Sequence, residues 1–170
     1  MKIFIDTEFI EFPNSIELIS IGMVTEEKEF YAEFSDFKAD HVSQWVIDNV
    51  YSGLKYYPNA YPTRIEDKKL ISLYSTKKVI SDEIKAFIGN ETPEFYGYYP
   101  AYDWVAFCWL FGTMVDLPEN WPIFCHCLHQ LALIKNTPEF NYKGKNQHNA
   151  LADARWNKKY YEFIMKGENS

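Results

Sequence analysis

The 170-residue chain contains no apolar run near the ~20 residues that a bilayer-spanning helix needs, and its opening, MKIFIDTEF, lacks the basic segment, long apolar stretch and small-residue cleavage site of a secretory leader. These absences set the expectation of a cytoplasmic protein. Cysteine is scarce. Cys108, Cys125 and Cys127 are odd in number and have no framework spacing, which suits free thiols in a reducing compartment better than a disulfide scaffold. Positive charge is also short, with 17 Lys and Arg against 24 Asp and Glu and a formal net charge of −7. Such a balance argues against broad electrostatic capture of a nucleic-acid backbone. It leaves a polyanionic substrate open, because bound divalent cations reverse the sign of a carboxylate-lined cleft. There is no internal repeat and no linker.

What is present points to one packed domain over residues 1–170. The chain is 47% hydrophobic and 18% aromatic, long enough to bury roughly 68–70% of the surface its unfolded form exposes. Residues 2–6 read as a first strand. SIELISIGMVTEE and KEFYAEFSDF alternate apolar and polar positions and read as a hairpin turning near 26–28. HVSQWVIDNV has helical spacing, and the stretch from Pro62 to Gly89 reads as a helix broken near Ser75. PEFYGYY is a short buried strand, PAYDWVAFCWLFG a helix, WPIFCHC a last strand, LHQLALI a short helix and HNALADARWNKKYYEFIMKG a closing helix. Three antiparallel strands followed by alternating strands and helices predict an α/β domain with a mixed sheet flanked by helices.

Within the first strand the carboxylates of KIFIDTEFIEF are out of place, since an unpaired charge in an apolar strand is costly or must neutralise. Asp6 and Glu8 stand at i and i+2, so they project from one side of the strand and repel each other unless something positive lies between. Mg²⁺ fits that need as a hard cation held by one or two carboxylates, its shell completed by substrate phosphate. The triplet alone is a weak signal, because D-x-E arises by chance in about every second chain of this size. Asp103 sits where a buried strand turns into a helix, a place where sites gather in α/β sheets and where a helix N-terminus also simply favours an acid. In HNALADAR, His148 precedes the helix that carries Asp153. Five residues of helix turn about 140°, so the two share a face only if His148 lies outside the regular helix. A loop imidazole of that kind is able to accept a proton from water.

Together FIDTEFIEF, YDWVAF and HNALADAR resemble, in order and separation, the three exonuclease motifs of the DEDD superfamily of 3′-to-5′ exonucleases. The histidine places the resemblance in the DEDDh branch, which has the ribonuclease H-like fold, near the small bacterial and phage exoribonuclease domains such as ribonuclease T and oligoribonuclease. The resemblance implies that Asp6, Glu8, Asp103 and Asp153 hold two Mg²⁺ or Mn²⁺ ions and that His148 is the general base. It implies hydrolysis from a free 3′-hydroxyl end of single-stranded RNA or DNA, with release of nucleoside 5′-monophosphates, and a homodimer, as relatives often are. Two other readings stay open: an endonuclease of the ribonuclease H kind, and a nucleic-acid binding module of the same fold.

Grip on the substrate is expected from stacking. Phe9 follows Glu8, and Trp45 in VSQWVIDNVYSGL resembles the oligoribonuclease segment in which a tryptophan packs on a base. Lys143, Lys145 and Arg155 are candidate phosphate contacts, with a solvated loop as the plainer reading. Cys125, Cys127 and His129 alternate, yet no fourth soft ligand is spaced to complete a zinc tetrahedron.

Overall fold

A computed structural model describes residues 1–38, 42–58, 60–138, 140 and 148–166. In chain order the elements are β1 (Lys2–Phe12), β2 (Ser15–Val24), β3 (Glu29–Phe34), α1 (Gln44–Asn49), a 3₁₀ turn (Tyr51–Gly53), β4 (Thr63–Asp67), β5 (Leu70–Ser75), α2 (Lys77–Ile88), β6 (Glu94–Gly97), α3 (Ala101–Trp109), a second 3₁₀ turn (Met114–Asp116), β7 (His126–Cys127), α4 (Leu128–Ile134) and α5 (Ala150–Lys166). One seven-stranded mixed sheet runs β4-β5-β3-β2-β1-β6-β7. β1, β2 and β3 pair antiparallel in turn, and β1 pairs parallel with β6, which pairs parallel with β7. The architecture is α/β, consistent with a ribonuclease H-like fold.

Alternation along β1 divides the core between the two faces. Ile3 and Ile5 join Ile80, Ile84 and Phe87 of α2 and Phe107 of α3 in one apolar cluster. Phe4 turns the other way, into a cluster with Leu128 and Ala132 of α4 and Ala150, Leu151, Ala154 and Tyr160 of α5. Asp6 and Glu8 continue the Phe4 row, so they leave the sheet on the side that α5 covers.

Two features bring α5 down onto that row. Asn157 is buried and its Nδ2 donates to the Ile5 carbonyl at 2.9 Å, tying helix to strand beside Asp6. Gly22 lies opposite Asp6 in the β1–β2 ladder, and a Cβ there would stand 2.2 Å from the Ala150 carbonyl oxygen and 2.5 Å from the Leu151 nitrogen. The missing side chain is the space that the start of α5 occupies. Gly22→Ala is therefore expected to destabilise the fold by about 3 kcal/mol in urea unfolding, because helix backbone must move to admit the methyl group.

Three local expectations are corrected. Residues 62–89 form a hairpin followed by a helix, not one broken helix. Lys68 takes a left-handed φ of 47° at the turn, and β5 pairs parallel with β3 over six residues from Glu29↔Leu70 to Phe34↔Ser75, so sheet pairing outweighs the helix-forming lysines. α2 begins just beyond the break at Ser75, with Thr76 as its cap residue. The strand expected across WPIFCHC shrinks to His126–Cys127, where β6 offers only Tyr96 and Gly97 as partners. The first strand, by contrast, runs on to Phe12 and shifts register between Glu8 and Phe9. Most of the polar loop before His148, including Lys143 and Lys145, lies outside the described residues.

Candidate active site

β1 and α5 bring three carboxylates together. Oxygens of Asp6, Glu8 and Asp153 all lie within 4.8 Å of one another, the one such group of metal-capable side chains among the described residues. Glu8 is buried, Asp6 and Asp153 partly so. Asp103 joins from α3 on the other side of β1. Thr7 points away from Asp6 and Glu8, and both its N–H, at 2.9 Å, and its hydroxyl, at 2.7 Å, donate to Asp103 Oδ1. The middle residue of D-T-E thus holds the fourth acid next to the first. That role depends on tertiary contact, and sequence reading missed it.

At the start of α5, His148 has a left-handed φ of 65° and stands outside the helix. Its backbone N–H donates to Asp153 Oδ2 at 2.9 Å, and that of Asn149 donates to the same oxygen at 3.3 Å. Asp153 is thereby fixed by the turn that presents the imidazole. Asn149 works in two directions: its Oδ1 accepts from the Ala152 N–H at 3.1 Å, and its Nδ2 donates to the Gly53 carbonyl at 3.0 Å. A helix-capping asparagine is readable from sequence; its link to the 3₁₀ turn is not.

That link fixes the wall carrying Trp45. The tryptophan is 54% exposed and meets the His148 ring edge-on, with centroids 4.8 Å apart. Beyond the 3₁₀ turn the wall is fastened to the sheet by Glu33, which is 1% exposed. Its carboxylate accepts from the N–H groups of Lys55, Tyr56 and Tyr57 and from the Tyr31 hydroxyl at 2.7 Å. Phe9 is partly buried and lies 6.0 Å from the Tyr102 ring at the head of α3. Trp45 and Phe9 therefore belong to two different walls.

The electrostatics are one-sided. Burial first, then the charges of Asp103, Glu8 and Asp153, raise the Asp6 carboxyl well above its ordinary range. Burial, then Asp153 and Asp103, push Glu8 up to about 8. Asp103 is raised by burial against the two Thr7 hydrogen bonds, and Asp153 by burial against the amides of His148 and Asn149 and the His148 charge. Anionic oxygens so close together stay ionised at neutral pH only beside compensating positive charge. An all-oxygen donor set suits a hard divalent cation, so the residues fit Mg²⁺ or Mn²⁺.

Other candidates are engaged elsewhere. Arg155 pairs with Glu29 of β3, its Nε donating at 3.0 Å, which commits the guanidinium away from a phosphate. His129 packs its ring against Tyr98 and Tyr99, and the Cys125, Cys127 and His129 alternation forms no metal-capable group among the described residues.

Two curated relatives from Mycobacterium tuberculosis, the 3′-5′ exoribonuclease MT2234.1 of strain CDC 1551 and the 3′-5′ exoribonuclease Rv2179c of strain H37Rv, are each 32% identical over 174 residues, covering 100% of this chain and 96% of theirs. Residues 1–165 match the family model of the 3′-5′ exoribonuclease Rv2179c-like domain, a span that contains β1, α3 and nearly all of α5 and hence every acid of the cluster. By that match this chain belongs to the Rv2179c-like 3′-5′ exoribonuclease domain family.

Proposed function

We propose that this protein is a 3′-to-5′ exoribonuclease of the DEDDh type, a single ribonuclease H-like domain that removes nucleotides from the free 3′-hydroxyl end of single-stranded RNA. The observation that carries the reading is the meeting of Asp6, Glu8 and Asp153 within 4.8 Å, with Asp103 tied alongside through Thr7, in a chain of this family.

Asp6, Glu8, Asp103 and Asp153 would hold two Mg²⁺ or Mn²⁺ ions. Bound there, such ions supply positive charge to the scissile phosphate and lower the pKa of a nearby water. His148, presented from a turn outside the helix, takes the proton of the attacking water. The new bond joins the water oxygen to phosphorus as the bond from phosphorus to the upstream 3′-oxygen breaks. That oxygen takes up a proton and becomes the next 3′-hydroxyl, while the departing unit leaves as a nucleoside 5′-monophosphate. Glu8 accepts a hydrogen bond from the terminal 3′-hydroxyl, and Phe9 and Trp45 stack on bases.

The test is a 5′-labelled RNA supplied with either a 3′-hydroxyl or a 3′-phosphate, incubated with Mg²⁺ or Mn²⁺ beside the matching DNA. A 3′-phosphate brings further negative charge against the carboxylates in a poorly hydrated site, so that strand should be nearly inert. A ladder shortening by single nucleotides from the hydroxyl end is the expected result. Equal cleavage of both ends, or mid-strand fragments appearing first, would point to an endonuclease instead; no cleavage at all would point to a binding module.

A further inference from the structure

We infer that the exposed rings of Tyr98 and Tyr99, backed by the partly buried rings of His129 and Trp156, form a shelf that stacks the unpaired bases lying 5′ of the scissile bond. The inference rests on the exoribonuclease reading and adds a second base-binding surface to it, on the opposite side of the carboxylates from Trp45.

Tyr99 is 57% exposed and has a left-handed φ of 52°, a conformation that an L-residue with a bulky side chain seldom takes. The surrounding turn imposes it. Pro100 follows, and its ring fills the space over Gly97, where a Cβ would come within 2.7 Å of the Pro100 Cβ. Strained backbone that presents an aromatic ring to solvent rather than to the core is an observation in search of a use. The ring is not isolated. Tyr98 and Tyr99 stand with centroids 4.5 Å apart, Tyr99 and His129 4.6 Å apart, and Tyr98 and Trp156 5.1 Å apart.

Position relates this band to the chemistry. Tyr99 lies four residues before Asp103, at the carboxyl end of β6, the parallel neighbour of the strand that carries Asp6 and Glu8. Trp156 lies three residues after Asp153 on α5, about 4.5 Å further along the helix axis. His148 and Trp45 lie toward the other end of the same helix. A strand whose terminal nucleotide sits on the Trp45 side and whose scissile phosphate sits over Asp153 must carry its upstream bases toward Tyr98 and Tyr99.

Charge selects bases over phosphates as the part that is gripped. The chain carries −7, Arg155 is committed to Glu29, and the carboxylates repel every phosphate that metal does not neutralise. Every base, whatever its sequence, offers a π-face to a ring.

The deciding variant is Tyr99→Gly, because glycine adopts the left-handed turn without strain, so the ring is removed while the backbone is eased. Steady-state kinetics would compare a decanucleotide RNA with the same strand made abasic upstream of its terminal nucleotide. On the intact strand Tyr99→Gly should raise KM about tenfold with kcat within about twofold of wild type, and Tyr99→Phe should restore the wild-type value. On the abasic strand wild type and Tyr99→Gly should be alike. An equal loss on both strands, or no loss on either, overturns the shelf. Quenching of 2-aminopurine placed upstream, read with Ca²⁺ in place of Mg²⁺, separates the two readings. Quenching by wild type and not by Tyr99→Gly supports the shelf even if no RNA is hydrolysed; absence of quenching by wild type overturns the shelf even if RNA is.

Discussion

Glu8→Gln should cut nucleotide release by more than about a hundredfold and, in the same protein stripped of metal, raise stability at pH 8. The two effects have one cause. The folded protein holds a proton on Glu8 up to about pH 8, whereas the ordinary carboxyl loses it near 4.5. Between those values the folded state binds more protons than the unfolded state, so stability falls as pH rises across that window. Glutamine keeps the shape and removes the titration. Urea unfolding in EDTA at pH 5 and pH 8 should show a loss of several kcal/mol in wild type and a smaller loss in Glu8→Gln, where Asp6, raised chiefly by burial, still titrates. Saturating Mn²⁺ should reverse the order of stability, because only the wild-type site rewards the folded state with bound ions. A metal-free wild type equally stable at both pH values would remove the electrostatic basis of the site.

His148→Asn should lower turnover by about 10²–10⁴ while ions still bind, since a base speeds proton transfer without ligating metal. Asparagine is the informative replacement because it tolerates the left-handed φ of 65°, leaving the backbone N–H in place to hold Asp153. Loss of the imidazole also removes the ring that Trp45 meets edge-on, so KM should rise together with the fall in kcat. Isothermal titration with Mn²⁺ is the second measurement. Heats like those of wild type keep the histidine as a base; their disappearance would make it a ligand and the proposed division of roles wrong.

The acids were legible because their signals are local. Strand alternation puts Asp6 and Glu8 on one side whatever surrounds them, and a turn before a helix leaves His148 outside the regular helix, free of the offset of about 140° that would keep it off the face of Asp153. The residues that hold those acids were not legible, because their partners are distant in the chain. Thr7 reads as a spacer until α3 delivers Asp103 to it, and Glu33 reads as a solvent-facing position of an alternating strand until three backbone amides close over it. The hairpin of β4 and β5 was misread for a related reason: RIEDKKL has strong helix formers, and the pairing of β5 with β3 that overrides them lies in another part of the sequence. Fold class survived that error because β4 and β5 extend the edge of the sheet and leave its centre unchanged.

The order of the strands also bears on how copies of this chain meet. A sheet left open at its ends offers unsatisfied hydrogen-bonding groups to any passing strand, which is how soluble proteins become aggregates. Here one end is β4, TRIED, with Arg64, Glu66 and Asp67 exposed along it, and the other is β7, only His126–Cys127 long. The first sets charged side chains along its length, which discourages an apolar partner strand, and the second is too short to template one. Sheet continuation across two molecules is therefore disfavoured at both ends, and any homodimer would have to be assembled from side-chain surfaces.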